Sequence, residues 1–293
     1  METKVKGFWY TFLEKIPGNM GSWLFFIAAK CIATGYFLFS KNVGESRRFY
    51  RLLYPEKSSF YHRLCAFRQY QNFTSIHYDR FLAGKGLKTV FQSDGWEKLE
   101  LVQHHKGAIL LMSHQGNWEI AAHLLKQQKT RSNILLYMGT KEKEGVEALQ
   151  KERLQDSGVK IIGVPRDGGS PFDALEGIRF LQDGGIVSMT GDIIWRADQR
   201  NIQVNFMGRK AELPEAPYIF ALVSGAPILC FFSSRVGKNK YTFRFADPIY
   251  IRPANRKDRT KLIQEAAQQY ADLLEEELRT HPLQWYHFDR FVL

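Results

Sequence analysis

The chain has 293 residues, 44% of them hydrophobic and 14% aromatic, and carries a formal net charge of +11. That length suits one large domain or a domain with an appendage, and the composition excludes both a disordered chain and a polytopic membrane protein. Three scattered cysteines, Cys31, Cys65 and Cys230, are odd in number and lack metal-ligand spacing; they point to reduced thiols facing a cytoplasm.

The charge is unevenly placed. Residues 1–90 hold 14 Lys/Arg against 5 Asp/Glu, so residues 91–293 contribute only +2. A basic N-terminal third can serve nucleic acid, an anionic membrane surface or an acidic protein partner, or be a solvated face. Within it, Ser22–Ser40 reads "SWLFFIAAKCIATGYFLFS", nineteen residues with Lys30 as the one charge. A spanning helix needs about 20 mostly apolar residues, so the segment is borderline. Aromatic residues at both ends, with Lys41, Arg47, Arg48 and Arg51 behind, suit a bilayer interface. A membrane-seated hairpin or single anchor on the cytoplasmic, anionic leaflet is expected, with a buried helix as the alternative. A cleaved signal peptide fits poorly, because no short basic start leads directly into an apolar core and a small-residue cleavage site. No nucleic-acid motif is present.

Further along, "GESRRFYRLLYP" and "FYHRLCAFRQYQNFTSIHYDRFLAG" have helical spacing and end at Pro55 and near Gly84. Residues 1–90 thus read as a basic, aromatic-rich helical region and 91–293 as the main domain. Beyond Leu87, short apolar strands alternate with amphipathic helices. Strands are expected at Ala108–Met112, Asn133–Met138, Val159–Val164, Ile186–Thr190, Pro227–Ser233 and Tyr241–Phe245. Helices are expected at Trp118–Gln127, Lys143–Ser157, Pro171–Asp183, Pro214–Ser224 and Asp258–Arg279. The alternation predicts an α/β fold, a largely parallel mixed sheet flanked by helices. In such sheets reactive groups gather at the carboxyl ends of the strands.

One strand end carries chemistry. "GAILLMSHQGNWEI" closes the apolar run Ala108–Met112 with Ser113-His114 and brings Glu119 five residues after the histidine. On one helix that spacing turns the two side chains about 140° apart. They can meet if His114 lies in the strand-to-helix turn and Glu119 in the first helical turn, with Gly116 and Asn117 making the turn and Asn117 as a helix cap. The carboxylate would then fix the tautomer and leave the other ring nitrogen as a general base. A structural histidine gives the same bare pattern. No serine or cysteine is placed as a nucleophile: "DGGSPF" lacks the second glycine of a G-x-S-x-G elbow. The substrate would therefore bring its own hydroxyl.

"SHQGNWE" after an apolar strand resembles the H-x4-D/E motif of the glycerolipid and lipid A acyltransferase superfamily, in the "HxGNWE" form of bacterial lipid A acyltransferases. Further blocks are similar in order over residues 20–293: "VKIIGVPRDGGSPFDALEGIRFLQDGG", "IVSMTGDIIWR", "VNFMGRKAELPEAPYIFALVSGAPIL" and "LEEELRTHPLQWYHFDRF". The resemblance implies transfer of a fatty acyl chain from acyl carrier protein or acyl-CoA to a hydroxyl of a lipid acceptor, at the cytoplasmic face of the inner membrane. His114 and Glu119 match its catalytic pair. The acyl thioester is a co-substrate and no cofactor or metal is implied; an already activated thioester needs only an oxyanion hole, expected at the backbone near Gly116. Arg166 would hold a phosphate of the acceptor or of the donor's phosphopantetheine, or pair with Asp167 or Asp173. Asp192 would hold an arginine or a sugar hydroxyl, or cap a turn. Arg209 and Lys210 would contact an anionic head group or be solvated surface. His104 and His105 read as surface. Two departures stand out: the family's Asp-Gln pair is here Asp192-Ile193, and "WRADQR" is inserted before "FMG". Relatives with the same Trp-bearing ending acylate other lipids, including those linked to aryl polyene pigments, so phospholipid, glycolipid and polyene acceptors stay open. A basic membrane-surface binding protein is the non-enzymatic alternative.

Overall fold

The computed structural model describes residues 18–84, 87–103, 107–117, 133–139, 155, 158–165, 169–196, 198–253 and 255–293. Three helices come first: α1 (Gly18–Phe39), α2 (Val43–Leu53) and α3 (Ser59–Gly84). Then follow β1 (Val90–Asp94), α4 (Trp96–Gln103), β2 (Ala108–Met112), β3 (Ile134–Gly139), β4 (Lys160–Val164), α5 (Pro171–Gln182) and β5 (Ile186–Thr190). The chain continues through β6 (Asn201–Phe206), β7 (Arg209–Pro214), α6 (Ala216–Ser224), β8 (Ile228–Gly237), β9 (Lys240–Phe245) and α7 (Arg259–Thr280).

Seven strands form one sheet in the order β1-β9-β8-β2-β5-β3-β4. Every neighbouring pair is parallel except β8 with β9. β2 sits in the middle, buried at all five residues, as a strand covered on both faces must be. Its side chains alternate between two cores. Ile109 and Leu111 join the cluster built with Val187, Met189, Cys230 and Phe232 under α6 and α7. Ala108, Leu110 and Met112 face the opposite cluster with Ile134, Ile186, Phe231 and Phe243.

All six expected strands are present, Ala108–Met112 and Ile186–Thr190 with the expected bounds and the others with ends moved by at most four residues, and the helices at α5, α6 and α7 are present too. The expected helices Trp118–Gln127 and Lys143–Ser157 fall outside the described residues apart from Gln155. Two features differ from expectation. β1 is a short, mostly exposed edge strand with little apolar pattern. The "VNFMGRKAEL" stretch is an antiparallel hairpin, its two-residue turn Met207-Gly208 at positive φ of 50° and 72°; that geometry matches the right-handed twist of the flanking strands.

The N-terminal helices share a core with the sheet. Phe37, Phe49, Tyr50, Leu53, Cys65, Ala66 and Tyr70 belong to the larger cluster. Lys30, the one charge of α1, donates to the Gln71 carbonyl of α3 at 2.6 Å. Outward, α1 leaves Trp23, Ile32, Tyr36, Leu38 and Phe39 exposed. No single helix among the described residues is long and apolar enough to cross a membrane; Trp23–Phe39 and Val43–Leu53 would pass together but are bent by 88°.

A buried ion pair ties α3 to the sheet. Asp79, fully buried, accepts from Arg235 Nε at 2.7 Å and Nη2 at 3.0 Å, and from the Tyr241 hydroxyl at 2.7 Å. Removing one partner leaves the other charge without compensation. Asp79→Ala should therefore cost about 3–5 kcal/mol, and Asp79→Leu combined with Arg235→Met should recover much of it. Chemical denaturation of the wild type, Asp79→Leu, Arg235→Met and the double variant checks the recovery; additive losses would refute it.

Candidate active site

His114 and Asp192 are brought together by strand register. Met112 of β2 pairs with Thr190 of β5, and each side chain lies two residues past that pair. The ladder continues through the Gly191 N–H to the Met112 carbonyl at 2.7 Å. Gly191 is required there, because a Cβ would come within 2.6 Å of the Tyr270 ring. The Asp192 carboxylate then faces His114 twice: Oδ2 accepts from its backbone N–H and Oδ1 contacts Nδ1, both at 2.8 Å. A third donor, the Trp285 indole N–H, reaches Oδ2 at 2.8 Å.

Asp192 is 1% exposed. Burial by itself would raise its pKa, but the His114 imidazole beside it and the hydrogen bonds outweigh that, and the carboxyl is held below its usual value. An ionised carboxylate only accepts, so Nδ1 carries the proton and Nε2 keeps its lone pair. The His114 side chain is 21% exposed. The arrangement is a solvent-reachable base on a buried anion.

Asp192 thus stands at the strand end where the sequence put it, but is turned inward to the histidine and not outward to an acceptor. Glu119 and Arg166 lie outside the described residues, as do His104 and His105. Two bonds occupy the amides nearest the expected oxyanion hole. The Gly116 N–H donates to the Gln284 carbonyl at 2.8 Å, and the Asn117 N–H to Ser233 Oγ at 3.3 Å. Both amides serve the turn itself. Gly116, at φ 57°, is the residue the turn demands, since a Cβ would meet the Ser233 carbonyl oxygen at 2.0 Å. Asn117 is buried. Arg209 and Lys210 open β7 on the exposed side of the hairpin, and neither bonds a residue of the histidine turn.

Sequence reasoning singled out the C-terminal tail as a block of resemblance but gave none of its residues a place in the site. An isolated antiparallel bridge joins Gln115 to Trp285: the Tyr286 N–H donates to the His114 carbonyl at 2.7 Å, opposite the Gly116–Gln284 bond. The tail is held from behind by the N-terminal helices. Tyr50 donates its hydroxyl to the Pro282 carbonyl, Gln69 its amide to Trp285, and Asn72 its amide to Leu283. Trp285 is 2% exposed and packs edge-on against Phe49 and Phe291. The aromatic run "QWYHF" was the visible signal.

His287 stacks on Trp285 with ring centroids 5.0 Å apart. Burial pushes its pKa below 6.5; Asp192 opposes the shift but loses. The sign follows. Below pH 6.5 the unfolded chain binds a proton at this position that the folded chain refuses, so stability falls as pH drops from there. Asp192 adds a second loss at more acidic pH, as its carboxyl protonates below the ordinary 3.8. The melting temperature should decline from about pH 7.5 to about pH 5.5, and His287→Phe should flatten that decline. An unchanged slope in the variant would remove His287 as the cause.

The site is an oriented imidazole at the carboxyl ends of a parallel sheet, and among the described residues no serine or cysteine is bonded to its ring. The family model of bacterial lipid A biosynthesis acyltransferases matches residues 71–291. The chain belongs to that family, and is an acyltransferase of the lipid A biosynthesis type, with an acyl donor and a lipid acceptor as its substrates. No curated protein matched the chain.

Proposed function

We propose that the chain is a membrane-associated O-acyltransferase that moves a fatty acyl group from an acyl thioester, carried on acyl carrier protein or CoA, to a hydroxyl of a lipid A precursor. The observation that carries the proposal is Asp192 fixed on His114 Nδ1 with Nε2 left as the base. In a ternary complex Nε2 accepts the proton of the acceptor hydroxyl while that oxygen attacks the thioester carbonyl. The tetrahedral intermediate expels the thiolate, and the imidazolium returns the proton to sulfur. The new ester bond replaces the broken C–S bond, and the charge balances.

Glu119 is proposed as the second carboxylate of the site, close to the imidazolium that forms. Arg166, Arg209 and Lys210 are proposed as contacts to phosphates of donor or acceptor. The apolar outer face of α1, with the cations behind it, would seat the protein on the cytoplasmic face of the inner membrane. The encounter of the basic N-terminal third with an acidic carrier protein should weaken with salt.

Lipid mass spectrometry of cells with and without the protein tests the reading. The expected result is a gain of one acyl chain on a lipid A species. A gain on a phospholipid, glycolipid or polyene lipid would move the acceptor, and an unchanged lipidome would sink the assignment. Glu119→Gln should lower the transfer rate by about 10²-fold or more; full activity in that variant would remove Glu119 from the site.

A further inference from the structure

After Asp192 the chain does not turn away from the site. Ile193–Arg196 leaves β5 and carries Trp195 sideways across the carboxyl end of the neighbouring strand β3. Gly139, the last residue of β3, provides the seat. A Cβ there would come within 2.8–3.0 Å of the two ring-fusion carbons of the indole and the benzo-ring carbon beside them, so the ring system lies against the bare glycine backbone. From that seat Trp195 faces the histidine, with ring centroids 6.3 Å apart and planes at 63°. It is 38% exposed, high for a tryptophan fixed at two points.

The polar groups of this segment are turned to one another. Arg196 bonds Asp198 at 3.0 Å, and Gln199 accepts the Trp195 backbone N–H at 2.9 Å. Among the described residues, what borders the base on the β3 side is therefore the flat apolar surface of Trp195. The indole lies in the "WRADQR" stretch, where the sequence departs from its family's usual pattern.

We infer that Trp195 is a specificity-determining residue: its open face packs against the saturated hydrocarbon chain next to the reacting carbonyl or hydroxyl. The inference rests on the acyltransferase reading. A methylene chain is the group in this reaction that gains from a desolvated aromatic wall and asks for no hydrogen bond. The chain can belong to the thioester donor or to the lipid acceptor. In either case the wall contributes selectivity between chains, leaving proton transfer at His114 to the machinery already described.

The test measures kcat/KM for the full-length protein in detergent micelles, first with acyl carrier protein loaded with a ladder of saturated acyl chains, then with lipid A precursors of differing chain length at a fixed donor. In Trp195→Ala the preference between the best chain and one clearly shorter should collapse by about tenfold, the order expected for methylene contacts in an apolar pocket. Collapse in the donor series assigns the wall to the donor chain; collapse in the acceptor series assigns it to the acceptor. Gly139→Ala, which pushes the indole off its seat without removing it, should shift the same ratio in the same direction, and it keeps the test valid if the alanine at 195 compromises folding. Trp195→Phe should retain most of the preference. Chain-length ratios equal to wild type in both series, whatever the overall rate, would overturn the inference. Failure of the reading beneath it looks different: the wild type itself would transfer no acyl group, or would do so independently of His114.

Discussion

Acyl transfer by the His114→Ala protein should be lower than wild type by about 10²–10⁴-fold, the range that a positioned general base supplies. The loss should appear in the chemical step, because the imidazole contributes one exposed nitrogen and no substrate-sized surface. Folding should survive. Asp192 keeps two of its donors in that variant, the backbone N–H at position 114 and the Trp285 indole. Single-turnover transfer from a thioester, alongside a thermal melt, separates the two effects. Wild-type turnover in the alanine variant would leave the histidine a structural residue.

Asp192→Asn should be nearly as damaging, for a reason that concerns one proton. Oδ2 accepts from two N–H groups, Oδ1 from Nδ1 alone. An asparagine will therefore set its oxygen where Oδ2 was and its NH₂ toward His114. That amide can only donate to Nδ1, so the ring proton must move to Nε2, and the base is lost while the geometry stays. A fall of about 10²–10⁴-fold is expected with little change in melting temperature. Nitrogen-15 NMR of the labelled imidazole should report the exchange of tautomers. The double variant with His114→Ala should be no worse than His114→Ala alone, since the two groups act as a unit. Losses that multiply would mean that Asp192 acts elsewhere, and an unchanged rate would return the orienting role to Glu119.

Much of this was legible in the sequence, and the reason differs from element to element. The central strands could be placed because burial on both faces makes them continuous apolar runs, as in Ala108–Met112. The position of His114 followed from that. The hairpin β6–β7 was hidden because Met207-Gly208 is a weak turn signal, although Ile202, Val204 and Phe206 alternate as a half-buried strand should. Asp192 was noticed, but its contact with His114 was not. That contact spans 78 positions and exists because β5 lies beside β2, an adjacency that strand patterns do not reveal. Trp285, 93 positions from Asp192, was further beyond local reach. Local spacing brought Glu119 beside His114 in the sequence, whereas the approach of Asp192 depends on strand order.

The bridge between Gln115 and Trp285 also has a temporal meaning. Ribosomes deliver the chain from its amino end, so the sheet and the histidine turn can exist before residues 284–286 have been added. At that moment the Gly116 N–H lacks the Gln284 carbonyl and the Asp192 carboxylate lacks its indole. A product cut short before Gln284 would keep the β2–β5 register that brings Asp192 to His114, but would lack the indole N–H on Oδ2 and the acceptor of the Gly116 N–H.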